Sequence, residues 1–149
     1  MKHVVLLVLL LFAGTFPVFG GGNPKTENEY VKTEISLKQN KLKAGASGQV
    51  LFSLRPKKGI HVNLAPAVEV KLDSSDLIAL SGKPEIPRDK KTDFLDPLMP
   101  IKQSFTLSKK TKPGMVALKG MLTYYYCSDA EGWCSKFKQP IEMKITVVQ

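Results

Sequence analysis

YYYCSDAEGWC, residues 124–134, contains the only two cysteines of the chain, Cys127 and Cys134. The residues before and after this stretch alternate between apolar and mostly polar side chains, a period of two that is typical of half-buried strands. The apolar positions are Val116, Leu118, Leu122, Tyr124 and Tyr126 before the stretch, and Ile141, Met143, Ile145 and Val147 after it. Asp129 and Gly132 favour a turn between these two alternating runs. The sequence therefore predicts a β-hairpin whose loop allows the two cysteines to meet.

The rest of the chain predicts further short strands separated by turns. Predicted strands or extended pieces cover residues 31–38, 50–55, 60–63, 68–72, 77–80 and 101–107, and predicted turns cover residues 41–48, 57–59 and 109–114. No helical period of 3.6 residues and no internal repeat is visible. This pattern favours a single all-β domain, an antiparallel β-sandwich of the immunoglobulin-like type.

Residues 81–100 differ from the rest of the chain in composition. They contain four of the prolines and several charged residues, with the apolar pair Phe94 and Leu95 in the middle. A long irregular segment inside a compact domain is more often functional than accidental. We therefore expect a functional loop here.

The N-terminus has the composition of an export signal. Lys2 and His3 precede an apolar run over residues 4–13, and residues 18–20 offer a cleavage site. An uncleaved anchor is the alternative, but Thr15 and Pro17 interrupt a run that is already short for a membrane span. We expect a signal peptide over residues 1–22, a flexible lead-in over 23–29 and the domain over 30–149. This predicts a periplasmic protein, or alternatively a secreted one, with no stable membrane insertion after cleavage.

The chain is basic, with a formal net charge of +9, and the loss of Lys2 with the leader would lower this value by one to +8. The lysines are spread along the sequence, and no nucleic-acid-binding motif accompanies them. We therefore expect no nucleic-acid partner. An acidic protein surface is compatible with this charge.

Two interpretations of the cysteine pair remain open at the level of the residues. A structural disulfide is favoured by composition alone, since most cysteine pairs of exported proteins are structural. A redox couple is the other interpretation, because a bridge at a loop rim is accessible to an attacking thiolate. Copper or zinc binding by Cys127, Cys134 and His61 is a weaker third interpretation, because ligands are scarce. We expect neither a resident metal ion nor a bound cofactor.

Three stretches in the same order resemble a known family. They are KGIHVN at residues 58–63, TDFL at residues 92–95 and YCSDAEGWC at residues 126–134. Together they make the chain similar, over residues 30–148, to the N-terminal periplasmic domain of the thiol:disulfide interchange protein DsbD. The cysteine hairpin is the most specific of the three.

The resemblance implies an immunoglobulin-like fold and a thiol:disulfide oxidoreductase activity. A thioredoxin-like protein or a membrane donor would donate electrons to the cysteine pair, and periplasmic disulfide-containing proteins would accept them. Cys134 would form the mixed disulfide, with Cys127 as the resolving thiol. Phe94 corresponds to the phenylalanine of the family's cap loop that shields the pair, and Asp93 to an acidic neighbour.

Other residues of the hairpin bear on access and charge. Tyr126 and Trp133 are close enough in sequence to the cysteines to shape access to them. Asp129 and Glu131 would disfavour a thiolate, whereas Lys136 and Lys138 would favour it.

The chain also departs from the family pattern. Six residues separate the cysteines, one more than is typical of the family. Ile60 replaces an aromatic residue, and residues 135–137 lack the family's Tyr-Pro-Pro. The family's transmembrane and thioredoxin-like parts are missing, so we expect the electron donor to be another polypeptide. Two functions therefore remain: a periplasmic thiol:disulfide relay, or a non-enzymatic binding or assembly module with a structural hairpin disulfide.

Overall fold

The computed structural model describes residues 27–73 and 75–149, and these residues fold into strands and connecting turns. The strands are β1 Val31–Leu37, β2 Lys41–Lys43, β3 Ser47–Pro56, β4 Ile60–Val62, β5 Glu69–Leu72, β6 Ile78–Glu85, β7 Ile101–Leu107, β8 Gly114–Ser128 and β9 Trp133–Val148. Within these described ranges no helix is long and apolar enough to cross a membrane. The predicted signal peptide, and the lead-in up to residue 26, lie outside the described residues.

The strands form two sheets. One sheet has the order β1-β3-β7-β6, and the other has the order β2-β9-β8-β4, with β5 also paired to β8. These orders correspond to the ABED and GFC sheets of the immunoglobulin fold. The predicted all-β, immunoglobulin-like sandwich is confirmed. One pair departs from the antiparallel pattern, because β2 runs parallel to β9.

The core lies between the two sheets and follows from the alternation along the strands. In β3 and β7 every second side chain is buried, as in Phe52 and Phe105. Tyr124 of β8 is fully buried in the same cluster. Its hydroxyl group forms a hydrogen bond with the Thr33 hydroxyl group at 3.3 Å and accepts one from the Asn28 side-chain amide at 3.1 Å. Burial raises the pKa of this phenol, which keeps the hydroxyl protonated within the core.

Two strands differ from the sequence prediction. β2 lies inside the predicted turn over residues 41–48, because its backbone pairs with the end of β9. β6 continues to Glu85, into the segment predicted to be irregular. Its register against β7 shifts between Ser81 and Glu85, and an edge strand with such an irregularity tolerates Pro84.

The β8–β9 hairpin is the longest element of the fold and carries both cysteines. Its ladder is continuous from the Gly114↔Val147 pair to the Ser128↔Trp133 pair. The chain turns over residues 129–132, where the Gly132 N–H group donates to the Ser128 carbonyl at 2.9 Å. Gly132 has a φ of +70°, which glycine adopts without a steric penalty. The predicted hairpin is confirmed.

Candidate functional site

A disulfide bond joins the two cysteines directly across the hairpin. Cys127 of β8 and Cys134 of β9 are registered partners, and their Cα atoms are 4.1 Å apart. Such a short separation is typical of a non-hydrogen-bonded antiparallel pair, in which side chains are closest. The predicted meeting of the cysteines is therefore confirmed, and it results from the register of the hairpin.

The two cysteines differ in exposure. Cys127 is only 5% exposed, whereas Cys134 is an exposed residue. The topology explains the difference, because β8 has β4 beside it at this level and β9 on its other side. Among the described strands, the second neighbour of β9 is β2, which pairs only with residues 146–148. β9 is thus a sheet edge at Cys134, so an approaching thiol reaches that cysteine first.

β4 supplies the polar neighbours of the buried sulfur. His61 is registered opposite Cys127, so their side chains, and that of Asn63 two residues later, project from the same face of the sheet. The Asn63 side-chain amide donates a hydrogen bond to the Cys127 Sγ at 3.0 Å. The His61 Nδ1 atom lies 3.4 Å from the Asp129 carboxylate. The hairpin loop is therefore connected to β4 by side chains around the disulfide.

Residues 86–96, which we call the cap loop, pack against β4. The Phe94 ring stacks on the His61 ring, with 3.7 Å between centroids and 20° between planes. The backbone fixes this position, because Asn63 and Phe94 form an antiparallel bridge and the Leu95 N–H group donates to the Val62 carbonyl at 2.9 Å. Phe94 thus reaches the site through His61. The structure brings together Phe94, His61 and both cysteines.

Two acidic side chains of the cap loop, Asp93 and Asp89, contact other residues of the same loop. Asp93 pairs with Arg88 at 2.8 Å, and its side chain is 90% exposed. The backbone N–H groups of Lys91 and Thr92 donate to the Asp89 carboxylate at 2.7 and 3.1 Å. The Lys91 N–H group in particular lowers the pKa of Asp89. The acidic residue that contacts the cluster around the disulfide is Asp129 rather than Asp93.

Tyr126 and Trp133 lie on the other face of the hairpin. Each is adjacent in sequence to a cysteine, and adjacent strand residues project to opposite faces. Their rings pack edge to face at 5.8 Å, and Trp133 also packs against Tyr30 at 5.0 Å. The structure therefore brings these two residues to each other but not to the face of the disulfide. Their part in controlling access stays a prediction.

The lysines Lys136 and Lys138 lie on the same face of β9 as Cys134. Lys136 is two residues beyond Cys134, and its Nζ atom is 5.5 Å from the centre of the Tyr125 ring.

No group of three or more His, Cys, Asp or Glu side chains in residues 27–73 and 75–149 is arranged to hold a metal ion. Both cysteines are in the disulfide, so the arrangement supports sulfur chemistry.

No protein-family model, curated protein or solved structure matches this chain. A functional conclusion therefore depends on the site itself. The sequence alone assigned no role to Asn63, and it did not predict the pairing of His61 with Asp129. The alternation of residues 60–63 indicated that His61 and Asn63 share one face of a strand. The register of β4 against β8 was needed to place that face beside Cys127.

Proposed function

We propose that this chain is a periplasmic thiol:disulfide exchange module. In this proposal a thioredoxin-like protein reduces the Cys127–Cys134 disulfide, and the reduced pair then passes the electrons to disulfide-containing proteins. The observation that carries the proposal is the unequal exposure of the two cysteines, with Cys134 at an open sheet edge and Cys127 buried. Such an arrangement gives the two sulfurs different roles in exchange.

The exchange proceeds in two steps. A donor thiolate attacks the Cys134 Sγ, the Cys127–Cys134 bond breaks, and its electron pair goes to Cys127, which takes up a proton. The donor's second thiol then loses its proton and attacks the donor sulfur of the mixed disulfide, which releases Cys134 as a thiolate that is protonated in turn. The donor becomes a disulfide and this chain a dithiol, with two electrons and two protons transferred.

The small contribution of the disulfide to stability argues against a purely structural role for it. The backbone ladder of β8 and β9 is continuous up to the turn and holds the cysteines opposite each other. A bridge with a sequence separation of 7 closes a short loop. On the chain-entropy model such a loop adds about 2.5 kcal/mol of stability. This contribution is modest beside a core with many fully buried side chains.

The reduction potential of the pair tests the proposal. The purified protein lacking residues 1–22 is equilibrated in glutathione buffers, and its free thiols are counted. We expect a potential between roughly −180 and −270 mV, the range of exchange proteins. The variant with both cysteines replaced by serine is the control for background labelling. A potential below about −300 mV would mark a bridge that resists the glutathione pool and would overturn the relay in favour of a structural disulfide.

A further inference from the structure

We propose that the Asn63 amide stabilises the thiolate that Cys127 becomes when the disulfide opens, and that it thereby makes Cys127 the leaving sulfur. The part that Asn63 plays in exchange rests on the proposed function. The hydrogen bond to a thiolate is a property of the protein alone and is testable without any partner.

The amide is held in place by backbone contacts on both sides. The Asn63 N–H group donates to the Tyr125 carbonyl at 2.8 Å, and Asn63 forms the bridge with Phe94. These contacts direct the side chain to the Cys127 Sγ at 3.0 Å. The donor is therefore positioned before the reaction begins, and no reorganisation is needed when charge appears on the sulfur.

The strength of this hydrogen bond changes during the reaction. A sulfur atom in a neutral disulfide is a weak acceptor. A thiolate carries a full charge, and hydrogen bonds to charged groups are roughly twice as strong as neutral ones. The interaction is consequently stronger in the transition state than in the oxidised protein, which is the condition for accelerating a step. A leaving thiol with a lower pKa also leaves faster.

The surroundings of Cys127 make this donor important. The residue is nearly buried, so water solvates its thiolate poorly, and the amide takes the place of that water. Other ionisable groups lie on the same face or next to it: His61 on β4, Asp129 on the hairpin loop, and Lys136 and Lys138 on β9, with the Arg88–Asp93 pair in the cap loop. None of these is altered by a substitution at Asn63. A change in the behaviour of Cys127 in such a variant therefore reports on the amide.

The test is a thiolate titration in which Cys127 is the only cysteine. In the Cys134→Ser background, thiolate absorbance near 240 nm is followed against pH. The protein with both cysteines replaced by serine is subtracted to remove the tyrosine signal. We expect Asn63→Ala to raise the midpoint by about one pH unit, which corresponds to the loss of a hydrogen bond to a charged group. Asn63→Asp, which keeps the shape but replaces the donor by a negative charge, should raise it further.

The matched control is Asn40→Ala, an exposed asparagine outside the site, which should leave the midpoint unchanged. In the chain with both cysteines, Asn63→Ala should also slow reduction of the disulfide by dithiothreitol about tenfold. A midpoint in folded Asn63→Ala and Asn63→Asp equal to that of the parent would overturn the inference. The measured potential does not enter this comparison, so a failure of the relay and a failure of the Asn63 assignment are distinguishable.

Discussion

At the scale of single residues, the exposure of the two sulfurs predicts unequal reactivity. In Cys127→Ser the remaining Cys134 is at the sheet edge, whereas in Cys134→Ser the remaining Cys127 is buried beside β4. We expect Cys134 to react with Ellman's reagent roughly tenfold faster or more, since a disulfide reagent needs direct access to the thiolate. Both variants denatured in urea are the control and should react at similar rates. A faster reaction at Cys127 in the folded protein would contradict the assigned order of attack.

Single residues also show what the sequence could reveal about the site. The meeting of Cys127 and Cys134 was predictable because a hairpin is local, and its register follows from the alternation on both sides of one turn. The contact between Asn63 and Cys127 joins residues 64 positions apart and depends on the pairing of β4 with β8. The same pairing lies beside the buried Cys127, so the alternation of residues could not predict the difference in exposure between the two sulfurs either.

At the scale of elements, the cap loop contains a turn that depends on the charge of Asp89. This carboxylate accepts hydrogen bonds from the backbone N–H groups of Lys91 and Thr92, so both bonds lie within residues 89–92. The pKa of Asp89 is lowered from its ordinary value of 3.8. The charged form therefore stabilises the turn at pH values above 3.8, and this stabilisation is lost as the pH falls through the lower pKa of the folded protein.

The prediction concerns the difference between the parent and Asp89→Ala in urea unfolding. At pH 6 the parent should have the higher urea midpoint, because only the parent has the charged acceptor. The difference should shrink as the pH is lowered below 3.8. Asp93→Ala is the matched control within the same loop, because its ion pair with Arg88 is largely exposed and worth little. A difference that stays constant from pH 6 to pH 3 would exclude a role for the charge of Asp89.

The elements also divide into those that the pattern predicted and those that it could not. β3 and β7 bury every second residue, and in β1 every second residue is buried or half-buried, so their alternation was visible in the sequence. β2 has three residues, and the part of β6 beyond the predicted residues 77–80 follows a register shift, so neither has a sustained alternation. Both are specified by a neighbouring strand rather than by their own side chains.

At the scale of the whole molecule, the fold separates the chemistry of the disulfide from the stability of the domain. The core lies between the sheets, and the sulfurs lie on the outer face of the β8–β9 hairpin near its turn. The domain has a buried cluster with residues from both sheets, which does not include the bridge. We therefore expect the domain to keep its packing when the disulfide is opened.

This separation predicts the behaviour of the variant with both cysteines replaced by serine. We expect it to keep its β-sheet circular dichroism spectrum and to lose at most about 2.5 kcal/mol of unfolding free energy, the value for closing a short loop. It should also fail to accept electrons from a reduced thioredoxin-like protein. The unfolding free energy is measured with urea, and the parent reduced with dithiothreitol is the matched control, since it also lacks the bridge. Because the ladder of the hairpin continues up to Ser128 and Trp133 without help from the sulfurs, an unfolded variant would show that the bridge is a structural requirement and would remove the main support for the relay.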